Sequence, residues 1–348
     1  MKRLITNTFA IGILISFAAF VFTRCTKEGP QGPPGSNGVD ANATCRQCHN
    51  SSDSFVVKTF QYNASQHAMG SLTYENFNTC APCHTSQGFI EVIASGADTT
   101  SATINDPAPI NCRTCHNIHS TYTSSDWKLK TTASYTLRID PAITMNFQAD
   151  GGAGNLCGRC HQAMKSSPWI ANPTGTDSIL ISSSYWGPHA SGQSLIQGAV
   201  GAFTFGTSYQ WGNVHRTKAS CITCHGANAV GNITGGHTLW IVNEKEGDNL
   251  TGCNTGTDCH GGSMTISIMQ TKMSVVAIKI QTLKEKLIAK NLINPETNAV
   301  VTGKHTQKQM AVVWNYLLVN SDRSMGIHNY SYVNDILDKG IIAIDETE

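Results

Sequence analysis

The sequence predicts a mainly α-helical, loop-rich fold, organised in its middle by bound cofactors and closed by a helical C-terminal tail. Three observations predict it. Twelve of the thirteen cysteines fall between residues 45 and 260 in six paired motifs, each ending in histidine. The supply of ordinary core residues is thin for 348 residues, at 40% apolar and 7% aromatic with 31 glycines. Large apolar rings filling the interior would make up that shortfall. Sustained helical spacing of apolar residues begins only after the last motif. A formal net charge of +1 with 14% charged residues gives no strong field for nucleic acid or an acidic partner.

Five of the motifs share one pattern: Cys45-Arg-Gln-Cys48-His49, Cys80-Ala-Pro-Cys83-His84, Cys112-Arg-Thr-Cys115-His116, Cys157-Gly-Arg-Cys160-His161 and Cys221-Ile-Thr-Cys224-His225. This is the attachment motif of c-type haem. Two thiols two residues apart on one turn reach the two vinyl groups of a single porphyrin, and the adjacent histidine ligates its iron. Zinc knuckles and redox dithiols are the rival readings, and neither requires a histidine directly after every second cysteine. The sixth motif, Cys253-Asn-Thr-Gly-Thr-Asp-Cys259-His260, puts five residues between its cysteines. Gly252, Asn254, Gly256 and Asp258 would let the extra residues bulge as a turn. The alternative there is a disulfide across a tight loop, with His260 incidental. The expected cofactors are six haem c groups held by a multihaem cytochrome c.

Thirteen histidines less the six in motifs leave seven, against six irons that need a second axial ligand. Near-equality favours two histidines on every iron and disfavours an open, substrate-binding one. His119, three residues past His116, cannot reach the far face of the same ring and is expected to serve a neighbouring haem. His189 follows Trp186-Gly-Pro and His237 follows Gly235-Gly236, where glycine would let the backbone approach a porphyrin closely. His215 precedes Cys221 by six residues, and His67 has Met69 nearby as a rival ligand. Met145 and Met164 read as packing residues. For the last ligand, His328, between two apolar helices, is preferred over His305, which reads as a solvated helix end.

Residues 1–24 read as a signal peptide: Lys2 and Arg3, then an apolar run at 9–22 too short to span a membrane. Cys25, the cysteine outside the motifs, directly follows and is the expected lipidation site, although Arg24 stands where a small residue is usual. Ordinary cleavage with Cys25 idle is the alternative. Residues 25–44 carry four glycines at period three from Gly29 to Gly38, far too short for a collagen helix and better suited to a spacer. The run resembles those after the lipidated cysteine of surface lipoproteins of the Bacteroidetes type. Residues 45–261 form the hexahaem region. Residues 262–348 form a helical tail of the same domain, packed on the late haems. In it Val276, Ile280, Leu283 and Leu287 share one helix face, Met310, Val313 and Leu317 mark a second helix, and residues 332–337 a short third.

With these motifs the chain resembles the multihaem cytochrome c superfamily, which includes ammonia-forming nitrite reductase, hydroxylamine oxidoreductase and electron-transfer relatives. The tail Asp322-Arg-Ser324-Met-Gly326-Ile-His328-Asn329, followed by Tyr332 and Ile336-Leu337, is similar to the Gly-x-His-Asn ending of that group. The Cys-x-x-Cys-Lys site that nitrite reduction would imply is missing from the sequence. The expected function is electron transfer, from a quinol-linked donor or another cytochrome to an acceptor outside or in the periplasm. The expected place is at the periplasmic face or outer-membrane surface, held by lipid. The alternatives are a reductase of small nitrogen or sulfur oxyanions with one open haem, and a subunit of a homo-oligomeric cytochrome filament.

Overall fold

The computed structural model of the chain describes residues 45–46, 49, 53–70, 76–189, 191–210, 214–230, 234–242 and 247–347. The signal segment, Cys25, the Gly/Pro spacer and Cys48 lie outside these residues. Residues 48–348 form one compact unit, and Cys45 and Arg46 belong to the preceding one.

Short helices punctuate long loops through the motif region. α1 spans Asp53–Asn63, α2 Ala81–His84, α3 Ser86–Ser95, α4 Cys112–Cys115, α5 Gly154–Gly158, α6 Gln193–Gly198, α7 Val214–Lys218 and α8 Cys221–His225. Three of these elements, α2, α4 and α8, lie within the motifs, and α5 ends just inside a fourth at Gly158, each about one turn long. A single turn is marginal alone, and α4 and α8 are pinned by their caps. Asn111 caps α4 and Ser220 caps α8, and in both Thr three residues on returns the bond to the cap amide.

The tail is built differently. α9 spans Ile266–Ala289, α10 Gln307–Asp322 and α11 Tyr330–Asp345, and the three pack against one another. Val276, Ile280, Leu283 and Leu287 are buried on α9, as their spacing predicts. Each such burial contributes roughly 1.5–3 kcal/mol. α11 is longer than the expected short helix: it runs on past Leu337 through Gly340, which is buried with the Leu283 side chain close by.

The thin apolar composition predicts segments that pack on cofactor rather than on each other. The structure differs, because residues from Tyr135 to Tyr209 join the tail in one protein core. Trp314 lies at its centre, edge-on to Trp169 with ring centres 4.9 Å apart. Its indole nitrogen donates to the Gly201 carbonyl at 2.8 Å. Asn315, fully buried, accepts from the Phe203 amide and donates to the Phe203 carbonyl, both at 2.7 Å. A two-stranded antiparallel sheet also ties the tail to mid-chain, pairing β3 (Ser178–Ile181) with β4 (Gly303–Thr306). A second pair, β1 (Tyr135–Thr136) with β2 (Thr144–Met145), lies within the motif region. Among the described residues no helix is long and apolar enough to cross a membrane.

Candidate haem sites

Three of the regular motifs share a backbone device. The amide of the closing histidine donates to the carbonyl of the first cysteine, in His84 to Cys80 (3.2 Å), His116 to Cys112 (2.9 Å) and His161 to Cys157 (3.0 Å). In the irregular motif the same bond forms, His260 to Cys253 at 3.1 Å, while the Cys259 and Gly261 amides both close onto the Gly256 carbonyl. The extra residues are looped out, so Cys253, Cys259 and His260 keep the relation of the regular sites. The described cysteines are all free thiols, Cys253 and Cys259 included.

Every motif histidine faces a second imidazole. His49 stands opposite His119 with ring centres 6.1 Å apart, His84 opposite His189 at 6.0 Å, and His116 opposite His237 at 6.1 Å. His161 faces His67 at 6.0 Å, His225 faces His328 at 6.2 Å, and His260 faces His215 at 6.1 Å. A transition-metal bond to an imidazole nitrogen is about 2 Å, and that nitrogen lies roughly 1 Å from its ring centre, so two imidazoles held on opposite sides of one ion have centres about 6 Å apart. The residues present therefore fit a haem iron between each pair.

His119 lies beside His49, while its near neighbour His116 is paired with His237. His119 reaches back on a left-handed backbone (φ 63°). Asp126 holds that loop, accepting from the Thr121 amide (2.8 Å), the Thr121 hydroxyl (2.7 Å) and the Tyr122 amide (3.1 Å). Burial acts to raise the Asp126 carboxyl, and the bonds from Thr121, Tyr122 and His119 outweigh it and hold the group below its ordinary value. His305 stands elsewhere. It lies in β4, half-buried, with Nε2 on the Val301 carbonyl at 2.8 Å. It is a strand residue and not the expected helix end, and Thr306 caps α10 instead. Met69 is 59% exposed, while Met145 lies in the core.

The glycines beside two distal histidines serve the protein as well. Gly235 and Gly236 both take positive φ, and a side chain at either would strike Asn249 or Gln61. The Gln61 side chain accepts from the His237 amide at 3.0 Å. Gly187, ahead of His189, is packed against Leu317.

Several ring orientations are set from Nδ1. His116 bonds the Trp127 carbonyl at 2.6 Å, His225 the Leu239 carbonyl at 2.8 Å, His215 the Ile327 carbonyl at 2.7 Å and His161 the Gln193 side-chain oxygen at 3.2 Å. A carbonyl only accepts, so Nδ1 carries the proton and Nε2 keeps its lone pair for a metal. Burial pushes His67 and His237 down to about 4, and lowers His161, His215 and His225 too, which keeps these rings neutral as ligation requires. His328 is different. Burial opposes its charged form, but the Asp322 carboxylate beside its Nδ1 (2.6 Å) raises it overall. Asp126, Gln193 and Gln61 carry no motif, and Asp322 reads in the sequence only as the first residue of the C-terminal tail, with no sign of its bond to His328.

Sites two and four, those of His84 and His161, lie back to back. The Cys83 thiol meets the Arg159 carbonyl at 4.0 Å, and the Cys160 thiol meets the Pro82 carbonyl at 3.9 Å. The two thiols also touch. Cys157 contacts Cys221, and Cys224 contacts Cys253. Cys115 lies within electrostatic reach of Cys157 and Cys160.

The outer cell wall cytochrome OcwA has a solved crystal structure similar to this one, with a TM-score of 0.51 and 17% identity over 82% of this chain. The fold is that of a multihaem cytochrome. This chain spans about half (50%) of the length of that cytochrome. No protein-family model matches the sequence, and no curated protein matches it.

Proposed function

We propose that the chain is an exported hexahaem c-type cytochrome that relays electrons between a membrane-linked donor and an acceptor outside or in the periplasm. One observation carries this reading: each of six motif histidines faces a non-motif histidine at the separation that two axial ligands of one iron require. In it Cys45/Cys48, Cys80/Cys83, Cys112/Cys115, Cys157/Cys160, Cys221/Cys224 and Cys253/Cys259 hold the rings. When bound, haem supplies a one-electron couple at each site, with a potential set by axial ligands, burial and hydrogen bonds.

Contacts between the sites support an order. His119 and His116 sit three residues apart and join sites one and three. Cys115 joins three to four, Cys157 and Cys221 join four to five, and Cys224 and Cys253 join five to six. Site two adjoins four through Cys83 and Cys160. The path thus runs one, three, four, five, six, with two as a branch. A reductase needs an iron with one face open, and a filament would borrow a histidine from the next subunit. Six complete pairs within one chain favour relay over both.

The same proposal takes in the finer kinship, with the superfamily carrying the Gly-x-His-Asn ending, and a lipid anchor on Cys25 at the periplasmic face or outer-membrane surface. Partners would be other cytochromes or a quinol-linked donor. Likeness to a cytochrome described as outer cell wall supports a surface location. The test is mass spectrometry of the mature protein. The polypeptide should carry six haems, and Cys259→Ala should reduce intact attachment to five. A six-haem mass that survives loss of both Cys253 and Cys259 refutes the sixth site.

A further inference from the structure

The seven residues 323–329 between α10 and α11 do unusual work for their length. They deliver His328 to site five, and through the Ile327 carbonyl they orient His215 of site six. At the start of this loop, Asp322 ends α10 with its side chain only 1% exposed. One carboxylate oxygen accepts from His328 Nδ1 at 2.6 Å, and the other accepts from the Ser324 hydroxyl. Ser324 Oγ in turn accepts from the His328 amide at 3.3 Å. The result is a closed ring of bonds around one axial ligand.

We infer that Asp322 is a positioning residue that lowers the reduction potential of the His225/His328 site by drawing on the Nδ1 proton of His328. This rests on the reading of His328 as an iron ligand. A neutral imidazole bonded to a backbone carbonyl gives up little of its proton, whereas one bonded to a buried carboxylate gains imidazolate character. It becomes the more basic ligand and favours the higher-charged, oxidised iron. The Asp322 charge acts in the same direction, and its burial leaves it poorly screened. His215 is the internal control: the same loop orients it, but through the Ile327 carbonyl. The backbone carbonyls that orient His116 and His225 and the amide that orients His161 make the same contrast.

The experiment compares three variants of the full, haem-loaded protein by spectroelectrochemistry and EPR. Asp322→Asn keeps an acceptor of the same shape but removes the charge. It should keep every iron low-spin, alter one low-spin signal and raise one midpoint, the others moving less. Orienting partners of metal-bound histidines are typically worth about tenfold, and a tenfold change in a one-electron equilibrium is about 59 mV. Ser324→Ala removes the donor that competes for the carboxylate, so the same midpoint should fall. His328→Ala should turn one low-spin iron high-spin. If it does while Asp322→Asn and Ser324→Ala leave all midpoints unchanged, the inference about Asp322 fails and the ligand reading stands. If Asp322→Asn itself produces a high-spin iron, Asp322 is a structural clamp and not a tuning group. If His328→Ala leaves every signal low-spin, the ligand reading itself fails.

Discussion

Gly326→Ala is the perturbation that most sharply tests how the tail serves the sites. Gly326 has φ 87°, a conformation that L residues rarely adopt, and an added Cβ would lie 2.9 Å from Val276 Cγ2 on α9. The backbone term costs about 1–2 kcal/mol. Forcing a methyl against a well-packed helix adds about 1–3 kcal/mol. The loss is therefore about 2–5 kcal/mol, unless the loop moves to relieve it. Movement has its own signature. His328 and the Ile327 carbonyl flank this glycine, so a shifted loop disturbs sites five and six together. Denaturant titration by far-UV circular dichroism reads the stability, and EPR of the same samples reads the irons. Low-spin signals of two irons should broaden or convert while four stay unchanged. An unchanged midpoint of unfolding with six unchanged signals would refute the argument that this loop is a tight, shared support.

Two other predictions separate particular residues. His305→Ala should leave all haem signals unchanged because its Nε2 is committed to the Val301 carbonyl, whereas His328→Ala should convert one; EPR of the pair would show the reverse if the assignment were inverted. Cys25→Ser should release the protein from membranes, because the apolar run at 9–22 is too short to span; fractionation that leaves the variant membrane-bound would sink the lipid anchor.

What was legible in the sequence was the chemistry that must be local. A porphyrin's two vinyl groups fix the Cys-x-x-Cys spacing, so the motifs read directly, and the buried face of α9 followed from Val276, Ile280, Leu283 and Leu287. Counting histidines set how many were available as partners for the motif histidines but not their pairing. His67 faces His161, and His237 faces His116, across stretches that only tertiary packing brings together. The pairing of β3 with β4 is equally remote, which is why His305 read as a helix end rather than a strand residue. The protein core was underestimated because its residues are scattered through loop sequence, with Trp169, Trp186 and Phe203 meeting Trp314 from segments with no periodicity. Asp126 and the bond from His328 to Asp322 were invisible for a related reason: an aspartate that orients a histidine needs only proximity, and no spacing rule records that.

The central claim is that six haem irons are each closed by two histidines of this one chain. The direct measurement is low-temperature EPR of the oxidised protein, with spins counted against haem content from the pyridine haemochrome. The account predicts six low-spin irons per polypeptide, no high-spin signal, and no change on adding cyanide or nitrite. A high-spin iron that takes up either anion would contradict it.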